Sequence, residues 1–255
     1  VKSPAITIIG EVVSLRETFK WFEATHLAKK ILVTRDKVQA KEMSASIAKR
    51  GGIPSELPFI EIENLKIDTE NLKKYKAILF NSPNGVQAFF ENIKDVRILA
   101  NIKIGAVGAK TKELLEKFKI IPDFMPNEYL VDKLAEEVVA YTDENDEILI
   151  VTSDISPCDI DKYNSLYKRK YTKIVAYNTK KLSVDKKEIF EKLKDVDIVT
   201  FLSSSTVEAF YESLDGDFFV LGDKKIASIG PVTSETLRRF GMKVDYEADI
   251  FTAEG

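Results

Sequence analysis

The side chains best suited to chemistry in this chain lie in short polar turns that follow apolar, strand-like runs. Small residues there let a ligand approach the backbone, hydroxyls can donate hydrogen bonds, and the first N–H groups of a following helix are free to bind an anion. The alternative interpretation is that the same Ser, Thr, Asn and Pro residues only cap helices. The turns are Thr34–Asp36 (TRD), Ser82–Gly85 (SPNG), Gly108–Thr111 (GAKT), Ser203–Thr206 (SSST) and Gly230–Thr233 (GPVT).

Four of these turns belong to a repeated segment. Tyr75–Ile93 returns as Val196–Leu214 at an offset of 121, and Lys103–Phe118 returns as Lys225–Phe240 at an offset of 122. This spacing exceeds the roughly 20–50 residues of solenoid repeats, so it predicts two similar lobes. Equivalent turns in both lobes favour an anion site that faces one ligand, while capping alone would explain any single turn.

Single reactive side chains give weaker signals. His26 is the only histidine, and Cys158, the only cysteine, follows a proline beside a helix start. A thiol pKa can be lowered at such a place, although lone cysteines near helix ends are generally inert. Tyr177 lies on a strand between the two copies, so its phenol either packs or serves a ligand there. The basic stretch Lys162–Lys181 is either a solvated face or an attractor for a polyanion.

The composition is that of a soluble globular protein. Of the 255 residues, 44% are hydrophobic and 31% are charged. No apolar run approaches the ~18 residues that a membrane span needs. The formal net charge of -3 argues against nucleic acid, which favours a basic face. The single cysteine excludes an internal disulfide and a multi-cysteine metal site, so we expect a cytoplasmic protein with no membrane, nucleic-acid or metal partner.

Short β-rich runs alternate with helical patterns along the chain, which predicts an α/β fold with parallel sheets of the flavodoxin or Rossmann type. Helix starts are marked by Pro231, at a first-turn position, and by Ser205 with Glu208 at capping-box spacing. The predicted strands are Ile31–Thr34, Ala77–Asn81, Ile104–Val107, Ile148–Thr152, Ile198–Leu202 and Ile226–Ile229. The predicted helices are Val38–Arg50, Asn84–Ile93, Ala109–Phe118, Tyr129–Tyr141, Asp159–Arg169, Lys186–Lys194, Ser205–Leu214 and Pro231–Phe240.

Two segments break this alternation. Pro58–Leu65 and Lys173–Leu182 are β-rich and lie between helical patterns, so we expect them to pair as a two-stranded antiparallel connector on which the lobes hinge. One lobe is then discontinuous, built from residues 28–57 and 183–255, and the other is an insertion of residues 66–172. Residues 1–27 fit neither lobe.

Six motifs in order along the chain resemble uroporphyrinogen-III synthase. Each motif is short, and their order and spacing from about Ala28 to Gly255 make the stronger argument. The resemblance implies two α/β lobes joined by a two-stranded ladder, as the repeat also suggests. The motifs are ILVTR (Ile31–Arg35), ILFNSPNGVQAFF (Ile78–Phe90), AVGAKT (Ala106–Thr111), IVAYNT (Ile174–Thr179), TFLSSSTVEAF (Thr200–Phe210) and SIGPVTSETL (Ser228–Leu237).

The activity implied by this resemblance is a cyclisation that needs no metal and no cofactor. The family closes hydroxymethylbilane, a linear tetrapyrrole polycarboxylate, to uroporphyrinogen III. Hydroxide leaves ring A, ring D attacks through its substituted carbon, and the resulting spiro intermediate fragments and recloses with ring D inverted. Orientation of the substrate can supply much of the required barrier reduction, so the lack of a histidine or carboxylate dyad fits this chemistry.

The resemblance also implies roles for particular residues. Tyr177 matches the tyrosine that assists the leaving hydroxyl, and Thr233 matches the threonine of the last glycine turn. Arg35 either pairs with a substrate carboxylate or forms a structural salt bridge. Two residues depart from the family pattern: Asn81 stands where a threonine is common, and Val232 stands where another hydroxyl residue is common. These departures weaken the case for side-chain contacts with the substrate but leave backbone contacts unaffected. The predicted substrate-binding set is Thr34, Arg35, Ser82, Asn84, Gly108, Thr111, Ser203, Ser204, Ser205, Gly230 and Thr233.

Residues 1–27 resemble the carboxyl end of the S-adenosylmethionine-dependent uroporphyrinogen-III methyltransferase. This implies a covalently fused methyltransferase domain in a longer protein, with no S-adenosylmethionine site in this part, and favours siroheme or cobalamin as the end product. A function from another class fits the same duplicated architecture. It is a non-catalytic, two-lobe cytoplasmic binding protein or sensor for an anionic small molecule.

Overall fold

The computed structural model describes residues 9–16 and 29–250, and the chain divides into two compact units. One unit, here called the split unit, contains the described residues through Glu61 and again from Lys181 onward. The other, the inserted unit, is Ile62–Lys180. His26 lies outside the described residues, and of residues 1–27 only 9–16 are described, with a 3₁₀ helix at Glu11–Arg16.

Strands and helices alternate through most of the described chain. In order they are β1 (Lys30–Val33), α1 (Lys37–Lys49), β2 (Ile53–Glu56), β3 (Ile60–Asn64), β4 (Tyr75–Phe80), α2 (Pro83–Asn92), β5 (Lys103–Ala106), α3 (Ala109–Lys117), α4 (Val131–Glu137), β6 (Glu147–Ser153), α5 (Ile160–Tyr167), β7 (Lys170–Lys181), α6 (Lys186–Leu193), β8 (Ile198–Phe201), α7 (Ser204–Ser213), β9 (Lys225–Ser228), α8 (Pro231–Arg239) and β10 (Tyr246–Glu247).

The split unit is built on a parallel sheet with the strand order β10-β9-β8-β1-β2. The inner strands β1 and β8 are largely buried because helices cover a parallel sheet, whereas the edge strands β2 and β10 are more exposed. The Phe201 and Phe210 rings lie edge to face with centroids 5.3 Å apart, and the Phe59 ring lies 4.9 Å from that of Phe210. These aromatic rings form the centre of this unit's core.

The inserted unit has the strand order β3-β7-β6-β4-β5, and β4 to β7 run parallel to one another. Side chains alternate across a strand, so β4 serves two separate cores. Phe80 and its neighbour Ile78 pack with Phe89 on one face, whereas Leu79 packs with Tyr171 on the other. The end of β4 is therefore held rigidly from both sides.

The predicted fold class is confirmed, and every predicted strand and helix occurs with ends that differ by a few residues. Two strands were not predicted, namely β2 and the two-residue β10. Strand β7 begins at Lys170, where the sequence predicts a start at Lys173. The antiparallel connector and the lobe boundaries stay predictions.

One helix start differs from the prediction. Ser203 is the N-cap of α7, because its Oγ accepts the N–H of Thr206 at 3.2 Å. The capping box predicted for Ser205 and Glu208 is therefore wrong, since Ser205 already lies inside the first turn. Helix α8 begins at Pro231, as predicted.

Candidate functional site

In the inserted unit, Ser82 connects the turn after β4 with β7. Its backbone is extended, and its Oγ accepts the N–H of Gly85 at 3.0 Å, which caps α2. The same Oγ lies 2.8 Å from the phenol oxygen of Tyr177. Two residues predicted separately, one for binding and one for catalysis, are thus in direct hydrogen-bond contact.

Tyr177 reaches this position through an irregularity in β7. Thr152 on β6 pairs with Val175, but the next residue, Ser153, pairs with Tyr177, so Ala176 is left out of the register. An extra residue of this kind changes the face to which the following side chain points. As a result Tyr177 packs in the same core as Phe80, on the α2 side of the sheet, and is only 6% exposed.

Burial raises the pKa of the Tyr177 phenol above its ordinary value, because the anionic form is poorly solvated there. Hydrogen bonds with the hydroxyls of Ser82 and Ser153 act in the opposite direction, and the nearby Asp154 carboxylate adds to the rise. Tyr177 is therefore a neutral phenol at physiological pH. It can donate a hydrogen bond or a proton to a group beside it.

A second polar group lies at the carboxyl ends of β4 and β6. The Asn81 amide nitrogen donates to the Thr152 hydroxyl at 2.8 Å and to the Ser156 hydroxyl at 2.9 Å. The Asn81 amide oxygen is buried and accepts no hydrogen bond within the described part of the chain. Asp154 donates its N–H to the Tyr177 carbonyl at 3.3 Å and holds the N–H of Thr179 through its carboxylate at 3.0 Å.

The sequence interpretation missed this segment. Thr152–Ser156 (TSDIS) covers the end of β6 and the polar turn after it, so the rule applied to the other strand ends would have identified it. Its hydroxyls and carboxylate do not open a helix directly, because α5 begins only at Ile160. Without a helix start, the segment lacked the signal used for the other turns.

The glycine turn of the inserted unit is closed by an aromatic ring. A side chain at Gly108 would place its Cβ about 3.0 Å from the ring of Tyr129, so the ring would have to shift slightly to admit it. The backbone there is extended, and Gly108 is the N-cap of α3. Thr111 is 1% exposed in the first turn of α3, while Asn84 is half-buried in the first turn of α2.

In the split unit, the serine turn is hydrogen-bonded within itself and to the neighbouring turn. Besides capping α7, the Ser203 hydroxyl lies 2.8 Å from that of Thr206 and 3.0 Å from that of Ser205. The Thr236 hydroxyl lies 2.9 Å from the Ser204 hydroxyl and 3.0 Å from the Val232 carbonyl oxygen, so its one proton is shared between these two acceptors. The structure thus brings SSST and GPVT together within this unit.

The buried hydroxyls nearby have structural partners. Thr34 donates to the Thr200 carbonyl at 2.6 Å, and Thr200 donates to the Leu32 carbonyl at 2.9 Å, which ties β1 to β8. Thr233 is 4% exposed in the first turn of α8, after Gly230, whose backbone is extended. The side chain of Val232 is largely exposed.

Arg35 lies beside the cap of α1. Asp36 Oδ1 accepts the N–H groups of Val38 and Gln39, each at 3.1 Å. The other oxygen, Oδ2, is buried without a hydrogen bond among the described residues, and the Arg35 Nε lies 3.9 Å from it. This geometry fits the structural salt bridge that the sequence left as an alternative for Arg35.

Two weaker candidates find structural explanations. Burial raises the pKa of the Cys158 thiol to about 11, so the low-pKa alternative is wrong. In the basic stretch, Lys162, Lys168 and Lys181 pair with carboxylates, which supports a solvated face. No group of three His, Cys, Asp or Glu side chains in the described chain is arranged to hold a metal ion. None of the helices described is both long and apolar enough to cross a membrane.

Comparisons with known proteins agree on one family. The family described as uroporphyrinogen-III synthase HemD matches residues 41–255. The porphyrin biosynthesis protein HemD of Ruminiclostridium josui is 32% identical over 256 residues, which cover 95% of this chain and 50% of that protein. The chain thus spans about half the length of this relative. A protein of Methanocaldococcus jannaschii that carries the name of the same synthase is 32% identical over 242 residues, covering 89% of this chain and 95% of that protein.

Solved structures show the same fold. The uroporphyrinogen-III synthetase of Helicobacter pylori has a TM-score of 0.64 at 20% identity, covering 89% of this chain and 95% of that one. A mutant uroporphyrinogen III synthase of Thermus thermophilus has a TM-score of 0.58 at 17% identity, covering 89% of this chain and 94% of that one.

Proposed function

Because the chain belongs to the uroporphyrinogen-III synthase family, we propose that it cyclises hydroxymethylbilane to uroporphyrinogen III, with loss of water and inversion of ring D. The observation that supports this most directly is the buried Tyr177 phenol, 2.8 Å from the Ser82 hydroxyl at the carboxyl end of β4. Ligands of parallel α/β sheets bind at this edge.

In this proposal Tyr177 donates to the hydroxyl that leaves ring A. The carbon–oxygen bond breaks as the phenol proton moves toward the departing oxygen, so water leaves instead of hydroxide. The final ring closure releases one proton, which can restore the phenol. A raised phenol pKa suits this role because the group stays protonated until it is used.

The proposed substrate-binding residues act mainly through backbone N–H groups. The hydroxyls of Ser82 and Ser203 cap helices and also contact neighbouring hydroxyls, and Thr34 uses its hydroxyl to tie two strands, so these three side chains already have protein partners. Free N–H groups at the starts of α2, α3, α7 and α8 fit carboxylates of the substrate. The remaining proposed residues are Arg35, Asn84, Gly108, Thr111, Ser204, Ser205, Gly230 and Thr233.

The deciding experiment is product-isomer analysis after incubation with hydroxymethylbilane. The proposal expects the type III isomer in excess over the type I isomer that forms spontaneously. Only the type I isomer, from protein whose fold has been checked by circular dichroism, would reject the synthase assignment. That result would return attention to a binding protein for an anionic small molecule.

The antiparallel connector is also part of the proposal. The Leu65 N–H donates to the Ala176 carbonyl at 2.8 Å in the inserted unit, and the Leu182 N–H donates to the Phe59 carbonyl at 2.9 Å in the split unit. The partner number falls as the residue number rises, which is the antiparallel sense. These contacts support connector strands at residues 58–65 and 173–182. One proposed lobe then consists of residues 28–57 together with 183–255, and the other of residues 66–172.

We further propose that residues 1–27 are the end of a fused methyltransferase domain, that the protein is cytoplasmic, and that its product serves siroheme or cobalamin. The half-length match to the Ruminiclostridium josui relative supports a longer parent protein. The test is to incubate the native full-length protein with uroporphyrinogen III and S-adenosylmethionine. Methylated product is expected, and its absence would reject the fusion.

A further inference from the structure

The hydrogen bond between Ser82 and Tyr177 is geometrically open to either donor, and the role proposed for Tyr177 selects one direction. A serine hydroxyl has one proton to donate and can accept two hydrogen bonds. Ser82 Oγ accepts the Gly85 N–H at 3.0 Å and lies 2.8 Å from the Tyr177 oxygen. When Tyr177 gives its single proton to the leaving hydroxyl, this contact is a hydrogen bond only if Ser82 donates its own proton. Once Tyr177 has given up its proton, the phenolate can only accept, so Ser82 must then be the donor.

This arrangement connects the phenol to the start of a helix. Ser82 caps the ten-residue helix α2, where unpaired N–H groups and the helix dipole stabilise negative charge. Gly85 N–H polarises the Ser82 hydroxyl, which in turn polarises the phenol, and hydrogen bonds in such chains strengthen one another. The effect is to ease proton release from a buried phenol whose burial alone opposes it.

Two independent features fix the geometry. The skipped residue Ala176 turns Tyr177 toward α2, and Pro83 at the first position of α2 limits the backbone that follows Ser82. Ser82 is half-buried and Tyr177 nearly fully buried, so neither side chain is free to rotate widely.

We propose that Ser82 is a positioning residue for Tyr177: its hydroxyl, held by the Gly85 N–H, donates to the phenol oxygen and aims the phenol proton at the leaving hydroxyl. This role rests on the proposed function and differs from substrate contact, the role that the sequence suggests for Ser82. It acts through the tyrosine and not on the substrate.

The chain offers a matched control. Ser203 caps α7 in the split unit as Ser82 caps α2, but the neighbours of its hydroxyl are Ser205 and Thr206 and no tyrosine. Asp159 provides a second control in the same unit as Ser82, since it caps α5 and belongs to no proposed site. Loss of the cap alone destabilises the start of the helix at each of these positions.

The experiment combines a titration with kinetics. The Tyr177 resonance is assigned in protein carrying ¹³Cζ-tyrosine by its loss in Tyr177→Phe, and its titration is then followed in Ser82→Ala, Ser82→Thr and Ser203→Ala. We expect Ser82→Ala to move the titration to higher pH, while Ser82→Thr and Ser203→Ala leave it in place. We also expect kcat for type III formation to fall roughly tenfold in Ser82→Ala, the size of one hydrogen bond to a charged group, with KM little changed.

Asp159→Ala measures what cap loss alone does to folding and turnover. An unmoved Tyr177 titration in Ser82→Ala, or a loss of kcat no larger than that in Asp159→Ala, would overturn the positioning role. Failure of the proposed function is recognised separately, since it appears as type I product in the unsubstituted protein. The titration still reports on Ser82 in that case.

Discussion

In the inserted unit, the Asp123 carboxylate accepts hydrogen bonds from the Lys103 ammonium at 2.7 Å and from the backbone N–H of Ile104 at 2.8 Å. In the split unit, the Asp245 carboxylate accepts the equivalent two hydrogen bonds, from the Lys225 ammonium and from the backbone N–H of Ile226, each at 3.0 Å. The packing repeats too. The Phe118 ring stacks on that of Phe90 in α2, with centroids 4.5 Å apart. The Phe240 ring stacks on that of Tyr211 in α7, with centroids 4.3 Å apart. The two copies therefore retain the contacts that build the fold.

They differ at the carboxyl ends of their strands. Asn81 follows β4 and binds two hydroxyls, whereas Leu202 follows β8 at the equivalent place. In the sheet order, β2 takes the place in the split unit that β7 has in the inserted unit. Past β2 lies Phe59, an apolar ring in the core, while β7 presents the phenol of Tyr177 to Ser82. The two copies therefore share the contacts that build the fold. They differ in the polar side chains at the carboxyl ends of their strands.

The largest expected effect tests the shared scaffold. Phe80 and Phe201 are both fully buried at the ends of equivalent strands, so Phe80→Ala and Phe201→Ala should each cost about 3–5 kcal/mol of unfolding free energy. Urea denaturation measures the loss, with Phe219→Ala, at a 95% exposed ring, as the control. A difference above about 2 kcal/mol between the two variants would contradict equivalent packing.

The next effect tests the chemical difference. Tyr177→Phe should lower kcat for type III formation by about 10²-fold or more, because a positioned proton donor is lost while the ring remains. The control is Tyr171→Phe on the same strand, whose phenol donates to the Ala135 carbonyl on the other face. If both variants turn over at the same rate, Tyr177 has no role in catalysis, although the synthase assignment itself would survive.

A smaller effect is expected at Asn81. Asn81→Leu introduces the residue found in the other copy and removes two hydrogen bonds from the Thr152 and Ser156 hydroxyls. We expect a loss of about 1–3 kcal/mol in thermal or urea unfolding, because the buried Thr152 hydroxyl and the half-buried Ser156 hydroxyl lose their partner. Asn127→Leu, at an exposed position of the same unit, is the control. Unchanged stability would mean that the amide is not a structural difference between the copies.

The smallest effect concerns pH. Hydrogen bonds from the Ile226 N–H, followed by Lys225, lower the pKa of Asp245 despite its partial burial. A carboxyl whose folded pKa is lowered adds stability above its unfolded pKa and loses it as pH falls through the folded value. Asp245→Asn should therefore lower stability at pH 7 while flattening its decline as the pH falls below the ordinary aspartate pKa of about 4. Urea midpoints across this range measure it, and an unaltered slope would contradict the assignment.

The alternation of strands and helices was predictable because each element has its own periodic pattern and a polar turn at its end. The strand β2 was missed because Ile53–Glu56 contains a proline and polar residues, and only pairing with β1 makes it a strand. The α7 cap was misplaced for a similar reason. Any serine of SSST can accept a backbone N–H, and only the path of the chain out of β8 selects Ser203.

The sequence by itself determined the duplication, the parallel α/β class and the polar turns at strand ends, because these follow from local pattern and repeat. It could not determine the direction in which Tyr177 points. Side chains on a regular strand alternate between its two faces, and Tyr177 lies an even number of residues after Tyr171. Strict alternation along β7 would therefore put both side chains on the same face. Only pairing with β6, in which Ala176 is skipped, turns the phenol to the other face and into contact with Ser82. Register is a property of two strands together, so the tertiary structure alone decided it.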